Sequence, residues 1–129
     1  MPFVVAIAGA TGVVGREFLA VLEQRDFPVK RLRAMASARS VGSTLRFRGQ
    51  DVPVEDLATA DFRGVDVALF SAGADRSRAH GPRAAAAGAL VVDNSSAFRM
   101  DPNVPLVVPE VNLDAARAHR GIIANPNCS

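Results

Sequence analysis

The chain has no tryptophan, no tyrosine, one cysteine, one lysine and no apolar run long enough to span a membrane. Each shortage excludes a class of protein. A lone cysteine, Cys128, cannot close an internal disulfide, so its thiol is either a small buried hydrophobe or a reactive group. The arginines are scattered rather than massed and no tyrosine or tryptophan lies between them, so no nucleic-acid partner is expected. Nor is a membrane partner expected, because no apolar run approaches about 20 residues. Met1-Pro2-Phe3-Val4-Val5 moves straight into a strand without a basic leader, which makes the cytoplasm the expected location. The two Asn-X-Ser sequons, at Asn94 and Asn127, are then coincidental. No His/Cys/acid cluster has metal-ligand spacing, so no metal is expected.

What remains is ordinary for a globular domain. The 129 residues are 49% hydrophobic and 22% charged, with a net charge of +2, enough for one domain with a real core. No internal repeat, low-complexity tail or linker interrupts them.

Phe3 to Ala8 is a short, wholly apolar run, the signature of a strand buried on both faces. Val14, Phe18, Val21 and Leu22 then recur at helical spacing, with Arg16, Glu17 and Glu23 opposite. Phe27-Pro28 ends that helix, and Val29 to Ala36 reads as a second strand. Ser43 to Phe47 and Gln50 to Val54 form a predicted hairpin through Gly49. Val67 to Phe70 is another bare apolar strand, followed by Ser71-Ala72-Gly73 and an alanine-rich helix of about fifteen residues. Ala89 to Asp93 is the next strand. Asn112 caps a short helix through Arg120, and Gly121 to Ala124 supplies a last strand. Strand, loop, helix, strand in repetition predicts an α/β fold: a Rossmann-type, doubly wound, mostly parallel sheet with right-handed crossovers.

The turn between the first strand and helix is Gly9-Ala10-Thr11-Gly12-Val13-Val14-Gly15. Glycines at that place let backbone N–H groups and a helix N-terminus approach a pyrophosphate; the plain alternative is a tight turn that binds nothing. The second strand runs into Ser37-Ala38-Arg39-Ser40 without the carboxylate that usually holds an NAD ribose. Arg39 with Ser40 suits a 2′-phosphate, against the alternative of an isolated surface arginine. Asp93-Asn94-Ser95-Ser96-Ala97-Phe98-Arg99 stands at the C-terminal end of a parallel strand, where open α/β sheets bind ligands. Arg99 can hold a phosphate or carboxylate in bidentate fashion, or pair with Asp93 or Asp101. His80 and His119 read as solvated helix residues. Cys128 follows Asn125-Pro126, a turn after a strand, a setting that favours a reactive thiol if a helix begins behind it.

Five segments in register carry a resemblance that spans the chain. Gly9 to Gly15, Phe70-Ser71-Ala72-Gly73, Asp93 to Arg99, Val108-Pro109-Glu110-Val111-Asn112 and Asn125-Pro126-Asn127-Cys128-Ser129 together resemble the N-terminal part of aspartate-semialdehyde dehydrogenase. The resemblance implies NADP as cofactor, contacted at Gly9, Thr11, Gly12, Val13, Val14, Arg39, Ser40, Ser71, Ala72, Gly73 and Asn94. It implies Arg99 as the residue for the substrate's phosphate and Cys128 as the nucleophile. The implied reaction is NADPH-dependent reduction of aspartyl β-phosphate through a cysteine thioester, in lysine, threonine and methionine biosynthesis, by a homo-oligomer acting on a small-molecule substrate. Residues 1–129 would be the dinucleotide-binding domain. The family's glutamine after the cysteine, its substrate arginine, its catalytic histidine and its dimer interface belong to a second half, so the 129 residues alone are expected to be inactive.

Acetylglutamyl-phosphate reductase shares the thioester logic, but its glycine turn usually bears an aromatic residue where this chain has Val13-Val14. Short-chain reductases rely on tyrosine and lysine, and the chain has no tyrosine. A non-catalytic NADP-binding module is the alternative of a different class.

Overall fold

The structure is a computed structural model and describes residues 3–24, 28–93 and 122–124. Seven strands among them form one sheet: β1 (Phe3–Ala8), β2 (Val29–Ala36), β3 (Thr44–Phe47), β4 (Gln50–Asp56), β5 (Val67–Phe70), β6 (Leu90–Asp93) and β7 (Ile122–Ala124). Their order is β3-β4-β2-β1-β5-β6-β7, and every pairing is parallel except β3 with β4. Without β3 this is the Rossmann order, winding outward in both directions from β1. The predicted helix after Asn112 lies outside the described residues.

Alternation along the strands builds the two cores. On β1, Val5 and Ile7 face helix α1 (Val13–Gln24), which buries Leu19 and Leu22 against them together with Leu32, Ala34 and Val54. Ala6 and Ala8 face the other side, where Phe62, Phe70, Met35 and Val91 pack with Ala84 of helix α2 (Ala74–Ala86). One helix on each face explains why the central strand carries no polar residue. Such a strand has no solvent face on which to place one.

The hairpin differs from its sequence expectation in one respect. β4 continues through Asp56, and its last residues pair in parallel with β2, Ala34 with Val54 and Ala36 with Asp56. One strand thus completes the hairpin and also enters the parallel sheet. The turn places Arg48 at φ 51° and Gly49 at φ 78°, the paired left-handed geometry of a two-residue hairpin connection. Arginine is a poor residue there, but its Nη2 donates to the carbonyl of Leu22 at 3.0 Å and its guanidinium lies 4.9 Å from the centre of the Phe47 ring. The first contact holds the hairpin against the end of α1, and the second lies within the hairpin.

Arg83 does similar work on the opposite face. Its guanidinium donates to the carbonyls of Leu57, at 2.8 Å, and Ala60, and lies 4.9 Å from the centre of the Phe62 ring. The β4–β5 connection has no ladder of its own for these carbonyls, so α2 satisfies them. Hydrogen bonds from a charged donor contribute about 1.5–3 kcal/mol each. Arg83→Ala is therefore expected to lower unfolding free energy by about 2–3 kcal/mol in urea titrations, with Arg83→Lys recovering only part because it lacks the planar fork.

Arg83 also donates to His80 Nδ1 at 3.0 Å, so His80 is an acceptor there and its proton sits on Nε2. His80 is half-buried rather than simply solvated. Burial first, then the positive charges of Arg83 and Arg76, hold its pKa below the ordinary value of 6.5, with Asp56 opposing. The unfolded chain thus binds a proton more readily, so stability is complete above pH 6.5 and declines as pH falls through the depressed folded value. Urea midpoints of His80→Asn should depend less on pH below about 6.5 than those of the parent.

Candidate functional site

The strand order reverses between β1 and β5, and open α/β sheets bind ligands at the C-terminal end of such a crevice. Backbone bonds continue the sheet past the strand ends here. Gly9 N–H donates to Met35 O at 2.8 Å, Ser71 N–H to Ala8 O at 2.9 Å, and Leu57 N–H to Ala36 O at 2.8 Å. These bonds bring the first residues after β1, β2, β4 and β5 to one edge.

The glycine turn has steric reasons for its spacing. Gly9 adopts φ 88°, and a Cβ there would stand 2.8 Å from the carbonyl oxygen of Ser71. A Cβ on Gly15 would stand 2.2 Å from the carbonyl oxygen of Gly9, so only glycine lets α1 start this close to the end of β1. Gly12 has open space beyond a 3.4 Å approach to Gly9 O.

Helix α1 carries no acidic residue in its first turn. Among the described residues the N–H groups of Thr11, Val13 and Val14 meet no acceptor, whereas those of Gly12 and Arg16 bond to Gly9 O and Gly12 O. Unpaired donors at the positive end of a helix suit an anion. Val13 is 79% exposed beside them, a large apolar residue with nothing packed over it.

A cavity of about 190 Å³ lies in front of the turn, lined by Gly9, Thr11, Gly12, Ala36, Ser37, Leu57, Ser71, Ala72 and Arg76. A second of the same volume continues over the ends of β2 and β4, lined by Ala36, Ser37, Ala38, Asp56, Leu57, Ala58, Arg76 and His80. Asp56 is partly engaged, its Oδ1 accepting the N–H of Ala58 at 3.0 Å. A larger cavity of about 410 Å³ opens between the N-terminal halves of β2 and β4. Its location at the wrong end of the strands separates it from the glycine turn.

The structure brings together most of the residues singled out in the sequence. Thr11 Oγ1 lies 3.4 Å from Ser40 Oγ, which links the glycine turn to the short 3₁₀ helix Ala38–Ser40. Ser71 and Ala72 line the first cavity, and Gly73, at φ 91°, starts α2. Arg39 is exposed in the 3₁₀ helix and lines neither cavity. Asn94, Arg99, His119 and Cys128 lie outside the described residues. Asp93, at the end of β6, accepts a 2.7 Å hydrogen bond from Ser77 Oγ with both residues fully buried, which fixes that strand end to α2.

Sequence reasoning missed Arg76 and Leu57, and read His80 as solvated where it lines the second cavity. Arg76 lies in the first turn of α2, five residues after Ser71, and nothing in its spacing distinguishes it from the other helix arginines. Leu57 reaches the cavity only because β4 joins the parallel sheet.

Comparison with known proteins agrees with this arrangement. Residues 4–119 match the family model described as the semialdehyde dehydrogenase NAD-binding domain. The chain is 57% identical over 127 residues to an aspartate-semialdehyde dehydrogenase of Legionella pneumophila, covering 97% of itself and 37% of that protein. Its fold superposes with a TM-score of 0.95 on aspartate semialdehyde dehydrogenase II of Vibrio cholerae complexed with ASA, at 52% identity over 99% of this chain and 42% of that one. The enzyme of Candida albicans, solved with NADP, gives a TM-score of 0.79 at 25% identity, over 99% of this chain and 43% of its own. The chain spans about two fifths of the length of these relatives. A dinucleotide fold with the glycine turn at its switch point and a family match over most of its length make this chain a member of the semialdehyde dehydrogenase NAD-binding domain family.

Proposed function

We propose that residues 1–129 form the NADP-binding domain of an aspartate-semialdehyde dehydrogenase. The observation that carries this reading is the set of unpaired N–H groups of Thr11, Val13 and Val14 at the start of α1, in a glycine turn whose Gly9, Thr11 and Gly12 line a cavity at the switch point. These donors receive the pyrophosphate, because an anion there completes bonds that the helix leaves unmade. Gly9, Gly12, Ser71, Ala72 and Gly73 provide backbone with no side chain in the way. Ser37 and Ser40 supply hydroxyls and Arg39 a guanidinium beyond the end of β2, where no carboxylate competes for the ribose. That combination fits NADP rather than NAD. Asn94 is a further cofactor contact by the same family resemblance.

Cys128, as thiolate, attacks the acyl carbon of aspartyl β-phosphate and expels phosphate, leaving a thioester. Arg99 holds the phosphate through its planar fork. When bound, NADPH supplies the hydride that reduces the thioester. The resulting thiohemiacetal collapses to the semialdehyde and returns the thiol. Sulfur suits both halves of the task, as nucleophile and as leaving group. The full enzyme is a cytoplasmic homo-oligomer whose remaining three fifths or so contribute the base.

Titration calorimetry of the chain with each cofactor tests the first part. NADP is expected to bind about tenfold to a hundredfold more tightly than NAD, and Arg39→Ala to remove about tenfold of that preference. Equal affinities in the unmutated chain would count against the assignment. In the assembled enzyme, Cys128→Ala should abolish phosphate-dependent oxidation of aspartate semialdehyde while NADP still titrates with unchanged affinity. Retained turnover would remove Cys128 from the reaction.

A further inference from the structure

Most described arginines have their guanidinium engaged. Arg33 pairs with Glu55, Arg46 with Asp51, Arg63 with Asp61 and Arg78 with Asp75, all within 3.3 Å. Arg16, Arg48 and Arg83 donate to backbone carbonyls. Among the described residues, only the guanidinium groups of Arg31, Arg39 and Arg76 have no hydrogen bond or ion pair. Arg31 lies towards the start of β2, beside the cavity at the far end of the sheet. The other two lie at the ligand end: Arg39 follows Ser37 in the 3₁₀ helix, and Arg76, from α2, lines both cavities together with Ser37.

We propose that Arg76 is a second reader of the cofactor's 2′-phosphate, reaching it from α2 while Arg39 reaches it from the 3₁₀ helix. The assignment rests on the dinucleotide reading above and adds to it a specificity residue from a different element.

Charge decides which part of the ligand meets Arg76. The pyrophosphate belongs with the unpaired N–H groups of Thr11, Val13 and Val14. Away from Arg76 and Ser37, the farther cavity has alanine and leucine walls with the Asp56 carboxylate and the His80 ring beside them, and that carboxylate disfavours an anion and suits a neutral base carrying an amino group. Arg76 borders both cavities, at the junction where Ser37 marks the ribose. A phosphomonoester there carries nearly two negative charges, so one guanidinium leaves it incompletely matched. Neither arginine must give up an ion pair to reach it. Arg39 and Arg76 can each form charge-assisted bonds to separate phosphate oxygens.

The test uses the full chain and its Arg76→Ala and Arg76→Lys variants, titrated calorimetrically with NADP, NAD, adenosine 2′,5′-bisphosphate and adenosine 5′-monophosphate. Circular dichroism checks that each variant keeps the parent fold. Arg76→Ala is expected to weaken NADP and the bisphosphate about tenfold while NAD and the monophosphate bind as in the parent. Arg76→Lys should retain most of the affinity, since a point charge still meets a phosphate. The Arg39→Ala/Arg76→Ala double variant should bind NADP no better than NAD. An Arg76→Ala variant that binds NADP as the parent does, or that loses NADP and NAD equally, overturns the role of Arg76 and leaves the dinucleotide reading standing. A parent chain that binds none of the four ligands overturns the dinucleotide reading itself.

Discussion

The contact between Gly15 and the carbonyl of Gly9 is the constraint on which the rest of the ligand end depends. No side chain fits between the first turn of α1 and the end of β1, because a Cβ would have only 2.2 Å. That approach fixes where the helix starts, and so where its unpaired N–H groups point. Because Gly9 itself bonds across to Met35 and crowds Ser71, the same contact sets the helix against β2 and β5 together. The strand ends, the helix terminus and the cavity form one mechanical unit with little freedom to adjust separately.

The arginines divide the remaining work. Arg83 satisfies carbonyls of a connection that runs over the sheet, and Arg48 joins a hairpin turn to the last turn of a helix. Backbone carbonyls with no strand or helix partner need a donor when they are covered, and a forked guanidinium can serve two at once. A chain with a single lysine fits this use, since an ammonium is a compact point charge without the fork.

The central sheet was legible because its residues leave few options. Phe3 to Ala8 and Val67 to Phe70 are apolar at every position, which suits strands covered on both faces and little else. The glycine turn was legible because its order, between such a strand and an amphipathic helix, is the order the close packing requires. The dual use of β4 was not legible. Gln50 to Asp56 mixes polar and apolar residues as an edge hairpin would, and its parallel pairing with β2 depends on the path of the chain elsewhere. Arg76 escaped, and His80 read as merely solvated, for the same reason: their place beside the cavities is set by the way α2 lies on the sheet, while their local spacing is that of any polar helix face. Cys128, Arg99 and Asn94 lie outside the described residues, and their roles are proposals drawn from the family pattern.

Because the sheet winds outward from its first strand, β1 has a neighbour far along the chain on each side: β2 begins at Val29 and β5 ends at Phe70. During synthesis at about 5–20 residues per second, the most apolar strand waits several seconds before its second partner exists. Six consecutive apolar residues, Phe3 to Ala8, leave the ribosome early with one open edge. The strand that makes the finished domain stable is therefore the one most exposed to wrong pairing while the domain is being made.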